Sequence, residues 1–243
     1  MLKKKPEILV EDNKFCPGCG HGIINRLVAE VLEEMNLEKD AIGAVAVGCA
    51  CLMIDTFGVD WIQAQHGRAA AVASGIKRCR PNKPVFTYQG DGDALAIGFS
   101  ETMYAAIRNE NITVIFVNNG VFGMTGGQMA PTTLDRQKTT TSPKGRDVGV
   151  TGKPVNVINL MKNLDVAYLA RGSVINPSEI SKTKKYIRSA FETQISGEGY
   201  SFVEVISPCP TNWGLTPIDS LERIKSEVLD IYPTGEYVKR GGK

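Results

Sequence analysis

Apolar residues recur at Ile23, Leu27, Val31 and Met35, a spacing that places them on one face of a helix over residues 23–35. A short apolar run at 41–47 stops at Gly48 and reads as a buried strand; residues 61–65 read as a weaker one. Residues 68–78 carry many small side chains and predict a helix. A strand follows over 84–89, then Gly90-Asp91-Gly92, then a helix running through 105–109. The run ITVIFV at 112–117 is the clearest buried strand of the chain. Further strands are predicted at 165–170 and 201–206, with a helix at 177–191 between them.

Strands that alternate with helices imply parallel βαβ units. The expected fold class is therefore α/β, a parallel sheet flanked by helices on both faces, with residues 1–243 forming one domain. No internal repeat interrupts the pattern. Residues 120–153, rich in Gly, Thr, Pro and Lys, make one long irregular stretch, and such loops are usually functional or disordered. Residues 237–243 read as a tail.

Composition narrows the picture. Hydrophobic residues at 42% and charged residues at 22% are ordinary for a globular chain, and a net charge of +2 gives no basic stripe for nucleic acid. No apolar run reaches the roughly 20 residues that span a bilayer. The N-terminal basic residues have no apolar stretch behind them, so no signal peptide is expected and the cytoplasm is the expected location. Six cysteines are many for that compartment, where cysteine serves more often as metal ligand or small hydrophobe than in disulfides.

Two constellations carry chemistry. If the strand before Gly90-Asp91-Gly92-Asp93 and the strand before Asn118-Asn119 are parallel neighbours, Asp91 and Asn119 emerge at the same carboxyl edge of the sheet, where open α/β sheets bind ligands. A carboxylate and an amide oxygen there are hard donors suited to Mg²⁺, whose shell is shared with phosphate. The glycines permit close backbone approach to such a ligand. The second constellation is Cys16-Pro17-Gly18-Cys19-Gly20-His21-Gly22, a C-x2-C knuckle whose soft ligands suit zinc or an iron–sulfur cluster. Either needs further ligands from Cys49, Cys51, Cys79 or Cys209; Cys49 and Cys209 follow predicted strands, Cys51, two residues beyond Cys49, is expected to point away, and Cys79, late in a helix, is expected to be buried.

The Gly-Asp-Gly pattern with Asn-Asn after an apolar strand resembles the motif of thiamine-diphosphate enzymes. The segment Gly123-Met124-Thr125-Gly126-Gly127-Gln128 with Ala130-Pro131-Thr132, the phrase His66-Gly67-Arg68-Ala69 and the knuckle resemble the β subunits of 2-oxoacid:ferredoxin oxidoreductases. The resemblance implies Mg²⁺ on Asp91, Asn119 and the Val121 carbonyl. It implies thiamine diphosphate bound along Val47, Gly48, Cys49, Ala50, His66, Gly90, Asp91, Gly92, Asp93, Asn119, Val121, Gly123, Met124 and Thr125. It also implies one 4Fe–4S cluster on Cys16, Cys19, Cys49 and Cys209. His66 and Arg68 are the candidate catalytic residues, an acid/base and a carboxylate-binding group, although a core histidine and a helix-capping arginine are equally consistent with their positions.

The implied reaction converts a 2-oxoacid, coenzyme A and oxidised ferredoxin to acyl-CoA, carbon dioxide and reduced ferredoxin. The resemblance points first to 2-oxoglutarate, then to branched-chain 2-oxoacids, with pyruvate as a further alternative. It implies an α subunit that carries the pyrimidine-side domain, and ferredoxin or a ferredoxin-like subunit as electron acceptor. The rival reading from another class is a zinc-stabilised binding module without catalysis.

Overall fold

In the computed structural model, which describes residues 4–241, seven strands form one sheet and two more form a small ribbon. The strands are β1 (Ile42–Val45), β2 (Asp60–Gln63), β3 (Val85–Gly90), β4 (Thr113–Asn118), β5 (Val121–Phe122), β6 (Gln128–Met129), β7 (Tyr168–Ser173), β8 (Ser201–Ile206) and β9 (Gly235–Lys239). Their order is β2-β1-β3-β4-β8-β7-β9, with the antiparallel pair β5-β6 apart from them.

The central strand shows why the sheet sits between two helical layers. Every residue of β4 is buried, and its side chains alternate between two separate cores. Ile115 and Val117 face the core built with the helices His21–Glu34 and Pro177–Ile195. Val114 and Phe116 face the core built with Ala69–Cys79, Phe99–Ile107 and Val157–Met161. A strand buried on both faces carries a continuous apolar run because each face of the pleat meets its own helices.

The long helix Pro177–Ile195 begins with Asn176, whose Oδ1 accepts from the Glu179 N–H, and with proline at its first turn. Its basic residues do not simply face solvent. Lys184 Nζ bonds Glu30 and Glu34, and Arg188 bonds Glu34, which ties this helix to His21–Glu34. Among the described residues, no helix is long and apolar enough to cross a membrane.

Four expectations need correction. The strand expected at 165–170 lies three residues later, because it must carry Arg171 inward, and a buried arginine has no apolar signature. Residues 237–243 are not simply a tail: β9 covers 235–239, pairs antiparallel with β7 and makes the sheet mixed, with Val238 packed on the second core. Residues 242 and 243 lie outside the described residues. Cys79, expected to be buried, is exposed at the end of its helix. The helix expected straight after Gly-Asp-Gly begins instead as a π-helical turn, Gly92–Ile97, before Phe99–Ile107. Such widened turns occur mostly at functional sites.

Arg171 and Glu204 face each other on the neighbouring strands β7 and β8, nearly free of solvent at 1% and 0% side-chain exposure. Arg171 Nε donates to Glu204 Oε2 at 2.7 Å, while Asn118 Nδ2 donates to Glu204 Oε1 at 2.7 Å. Removing one charge leaves the other buried without its counter-charge. Arg171→Met should therefore lower unfolding free energy in urea by about 3–5 kcal/mol, and the double variant Arg171→Met/Glu204→Gln by clearly less. Equal losses in the two would contradict this account.

Candidate active site

The parallel register aligns the strand ends. Val45 pairs with Tyr88, Gly90 with Val117, and Asn118 with Ile206, so the residues after β1, β3, β4 and β8 leave the sheet at one edge. Asp91 follows β3 directly and is 1% exposed. Its Oδ1 accepts from the Gly92 N–H at 2.8 Å, and its Oδ2 accepts from the Gly120 N–H at 2.7 Å and from the Thr132 hydroxyl. Burial pushes its pKa up to about 6, against those hydrogen bonds, which favour the charged form. Among the described residues, Asp91 forms no ion pair with a cationic side chain. The two asparagines after β4 divide their work. Asn118 turns inward to Glu204, whereas Asn119 reaches the edge, where its Oδ1 accepts from the Val121 N–H at 3.1 Å.

A cavity opens at this edge, lined by His21, residues 47–50, His66, residues 90–93, Asn119 and residues 121–125. Every residue expected to bind the cofactor lines it. His21 of the knuckle and Phe122 line it too, and periodicity offered no sign of Phe122. The glycines shape the space: a Cβ on Gly48 or Gly90 would meet nothing within 4 Å, whereas one on Gly92 would strike the Phe122 ring at 2.4 Å. Gly48 also holds φ at +111°, a conformation that favours glycine. Asp91, Asn119 and the backbone of Val121 supply oxygen donors around an open glycine-walled space, which fits a hard cation with a phosphate group. Arg68 lies elsewhere: it pairs with Glu101 at 2.7 Å and donates to the Ile97 carbonyl.

The long stretch after Asn119 is ordered by a residue that the sequence did not single out. Arg146, 4% exposed, donates to the carbonyls of Ala130, Pro131, Thr133, Thr151, Gly152 and Lys153. A guanidinium with five N–H donors can serve so many acceptors at once. It thereby fixes the turn in which Thr132 reaches Asp91 and Thr133 donates to the Gly120 carbonyl at 2.6 Å. No hydrophobic pattern announces such a hub, and with Arg136, Lys138 and Lys144 in the same stretch the sequence does not set Arg146 apart.

The cysteine knuckle packs beside the cavity. Gly20 lies so close to Ser207 and Pro208 that a Cβ would approach the Ser207 hydroxyl to 2.4 Å, and the Cys19 N–H bonds the Cys16 carbonyl. Cys209 is buried and its Sγ accepts from Asn212 Nδ2 at 3.3 Å; the same amide donates to the Gly123 carbonyl at 3.0 Å. Cys49 Sγ is 3.1 Å from where a Cβ on Gly123 would stand. Burial pushes the thiol of Cys19 up to about 12, with Cys209, Cys49 and Cys16 adding to it. Burial likewise raises Cys49 to about 11, with Cys209 and Cys16 again contributing. The four cysteines thus share one neighbourhood, and Cys51 also stands near Cys49. Among the described residues, no three His, Cys, Asp or Glu side chains form a group fit for a single metal ion. His21, stacked on Phe15, bonds the Tyr88 hydroxyl through Nδ1 at 2.7 Å, and full burial lowers its pKa to about 4.

Residues 46–205 match the family described as thiamine pyrophosphate enzyme, C-terminal TPP binding domain. The chain is 41% identical over 230 residues to the ketoisovalerate oxidoreductase subunit VorA of Methanothermobacter thermautotrophicus, covering 94% of this chain and 48% of that one. It therefore spans about half the length of the VorA relatives it matches. The 2-oxoglutarate synthase subunit KorB of Methanocaldococcus jannaschii is 36% identical over 226 residues, covering 89% of this chain and 78% of that one. Among solved structures, a chain of the 2-oxoglutarate:ferredoxin oxidoreductase from Magnetococcus marinus superposes with a TM-score of 0.81 at 25% identity, covering 100% of this chain and 87% of that one. That structure has 2-oxoglutarate, coenzyme A and succinyl-CoA bound. Sequence, fold and the residues at the sheet edge agree: the chain belongs to the thiamine-diphosphate-binding subunits of the 2-oxoacid:ferredoxin oxidoreductases.

Proposed function

We propose that this chain is the cofactor-binding subunit of a cytoplasmic 2-oxoacid:ferredoxin oxidoreductase, acting as one unit over residues 1–243. It would work with an α subunit that supplies the pyrimidine-side domain and with ferredoxin or a ferredoxin-like subunit. The observation that carries this reading is the convergence of Asp91, Asn119 and Val121 on one glycine-walled cavity beside four cysteines. Asp91, Asn119 and the Val121 carbonyl hold Mg²⁺, and the backbone from Gly90 to Asp93 and from Gly123 to Thr125 cradles the diphosphate. When bound, thiamine diphosphate supplies the carbanion chemistry that releases carbon dioxide from a 2-oxoacid.

The chain's own groups position and shield. Thr132 and the Gly120 and Gly92 N–H groups fix the Asp91 carboxylate, so its geometry is set before the cation arrives. Val47, Ala50, Phe122 and Met124 make up the apolar part of the cavity lining. Cys16, Cys19, Cys49 and Cys209 hold a 4Fe–4S cluster. Asn212, bonded both to Cys209 and to the Gly123 carbonyl, joins the cluster side to the cofactor loop.

The substrate proposed first is 2-oxoglutarate, with the M. marinus and KorB likenesses in support. A second reading, 2-oxoisovalerate, is favoured by the VorA likeness and by a cavity lining without lysine or arginine to meet a distal carboxylate.

Three outcomes are expected. In the assembled enzyme, Asp91→Asn should weaken magnesium-dependent binding of thiamine diphosphate by about 100-fold or more in calorimetric titration, and unchanged affinity would refute the magnesium assignment. Protein purified without oxygen should be brown with about four irons per chain. Cys49→Ser should lose that iron while Cys51→Ser keeps it; colourless protein with zinc would support the non-catalytic module. In a kinetic comparison of the whole complex, 2-oxoglutarate should give the highest kcat/KM against 2-oxoisovalerate and pyruvate. A maximum with 2-oxoisovalerate would select the second reading.

A further inference from the structure

His66 stands at the cavity wall with its side chain 27% exposed, at the end of a chain of buried polar groups. The Thr87 hydroxyl, on β3, donates to Gln89 Oε1 at 3.0 Å, and Gln89 Nε2 donates to Asp93 Oδ2 at 2.7 Å. Asp93 Oδ1 accepts from the Gly67 N–H at 2.6 Å and meets His66 Nδ1 at 2.5 Å. Thr87 and Gln89 are fully buried and Asp93 is 4% exposed.

The direction of these bonds follows from which atoms can donate. Because the Gln89 oxygen takes the Thr87 proton, its NH₂ must face Asp93. Both Asp93 oxygens then receive N–H donors, from Gln89 and from the Gly67 backbone, so the carboxylate acts as acceptor. The remaining partner, His66 Nδ1, must donate. A neutral imidazole that donates through Nδ1 carries its lone pair on Nε2.

The backbone makes this arrangement rigid. The Gly98 N–H bonds the Asp93 carbonyl at 2.8 Å across the π-helical turn, and Gly67 lies against Gly98 so closely that a Cβ on it would come within 2.7 Å of the Gly98 nitrogen. On the other side, Phe122 meets the imidazole edge to face, with centroids 6.1 Å apart.

We propose that Asp93 is a positioning residue that holds His66 in the Nδ1–H tautomer, so that Nε2 is offered as an acceptor to an O–H or N–H group of the molecule bound in the cavity. This rests on the proposed function only for the identity of that molecule, a thiamine diphosphate–2-oxoacid pair. Gln89 and Thr87 orient Asp93 in turn. The arrangement gives a role to the carboxylate two residues beyond Asp91, whose two oxygens are both hydrogen-bonded inside the protein.

The test uses the full chain labelled with ¹⁵N-histidine, which contains only two histidines, His21 and His66. Long-range proton–nitrogen correlation spectra at a pH where both rings are neutral distinguish protonated from lone-pair nitrogens. His66→Gln assigns the signals by removing one set. The expected result is a protonated Nδ1 and an unprotonated Nε2 for His66, changing to a predominantly Nε2–H ring in Asp93→Ser. A wild-type His66 with its proton on Nε2 overturns the proposal, and this spectrum decides even where the serine variant fails to fold. A folded Asp93→Ser protein with an unaltered tautomer overturns it as well. In the assembled enzyme, Asp93→Ser should lower kcat by about 100-fold with KM changed less than about threefold, and an unchanged kcat would remove the positioning role. If thiamine diphosphate fails to bind while the tautomer is as expected, the proposed function falls and the Asp93–His66 assignment stands.

Discussion

A buried carboxylate, Glu204, holds the carboxyl edge of the sheet in place. It accepts from Arg171 on one neighbouring strand and from Asn118 on the other, so three adjacent strands are tied just inside the edge where their chains leave the sheet. Such an ion pair need not add stability over an apolar substitute, but once present it penalises any shift that separates its members. A slip of the strand end would unpair a charge in a medium that cannot solvate it. The edge is thereby fixed to within a hydrogen bond's tolerance.

That fixity reaches the cavity through two routes. Asn118, held by Glu204, sets where Asn119 and Gly120 begin, and the Gly120 N–H reaches Asp91. Arg171 also stacks over Tyr232 at 5.2 Å, and the Tyr232 hydroxyl donates to the Thr132 carbonyl at 3.0 Å, while the Thr132 side chain bonds Asp91. Sheet, C-terminal segment and loop therefore converge on one carboxylate. The loop contributes its own anchor in Arg146, whose N–H groups replace the water that would otherwise serve the carbonyls of a glycine-rich stretch.

Much of this was legible in the chain. The apolar run that became β4, the glycines around Asp91 and the two asparagines pointed to one sheet edge for Asp91 and Asn119, because period and turn chemistry are local properties. The position of β7 was misjudged because its inward residue is Arg171, and β9 was missed because Gly235–Lys239 is short, largely exposed and defined by its partner strand. Cys79 looked like a core residue by composition, yet its turn of helix faces outward. Arg68 looked like a site residue by adjacency to His66, but the start of the helix swings it toward Glu101.

The sequence by itself determined the α/β alternation, the edge at which ligands gather, and the residue types available there, since each follows from periodicity and from which side chains can donate or accept. Only the tertiary structure decided that Asn118 bonds Glu204 within the sheet while Asn119 reaches the cavity, that Arg146 orders the loop, and that Asp93 meets His66. Those choices depend on which polar groups are brought within 3 Å of one another after folding. Directional bonds between residues 13 to 86 positions apart leave no trace in a local pattern.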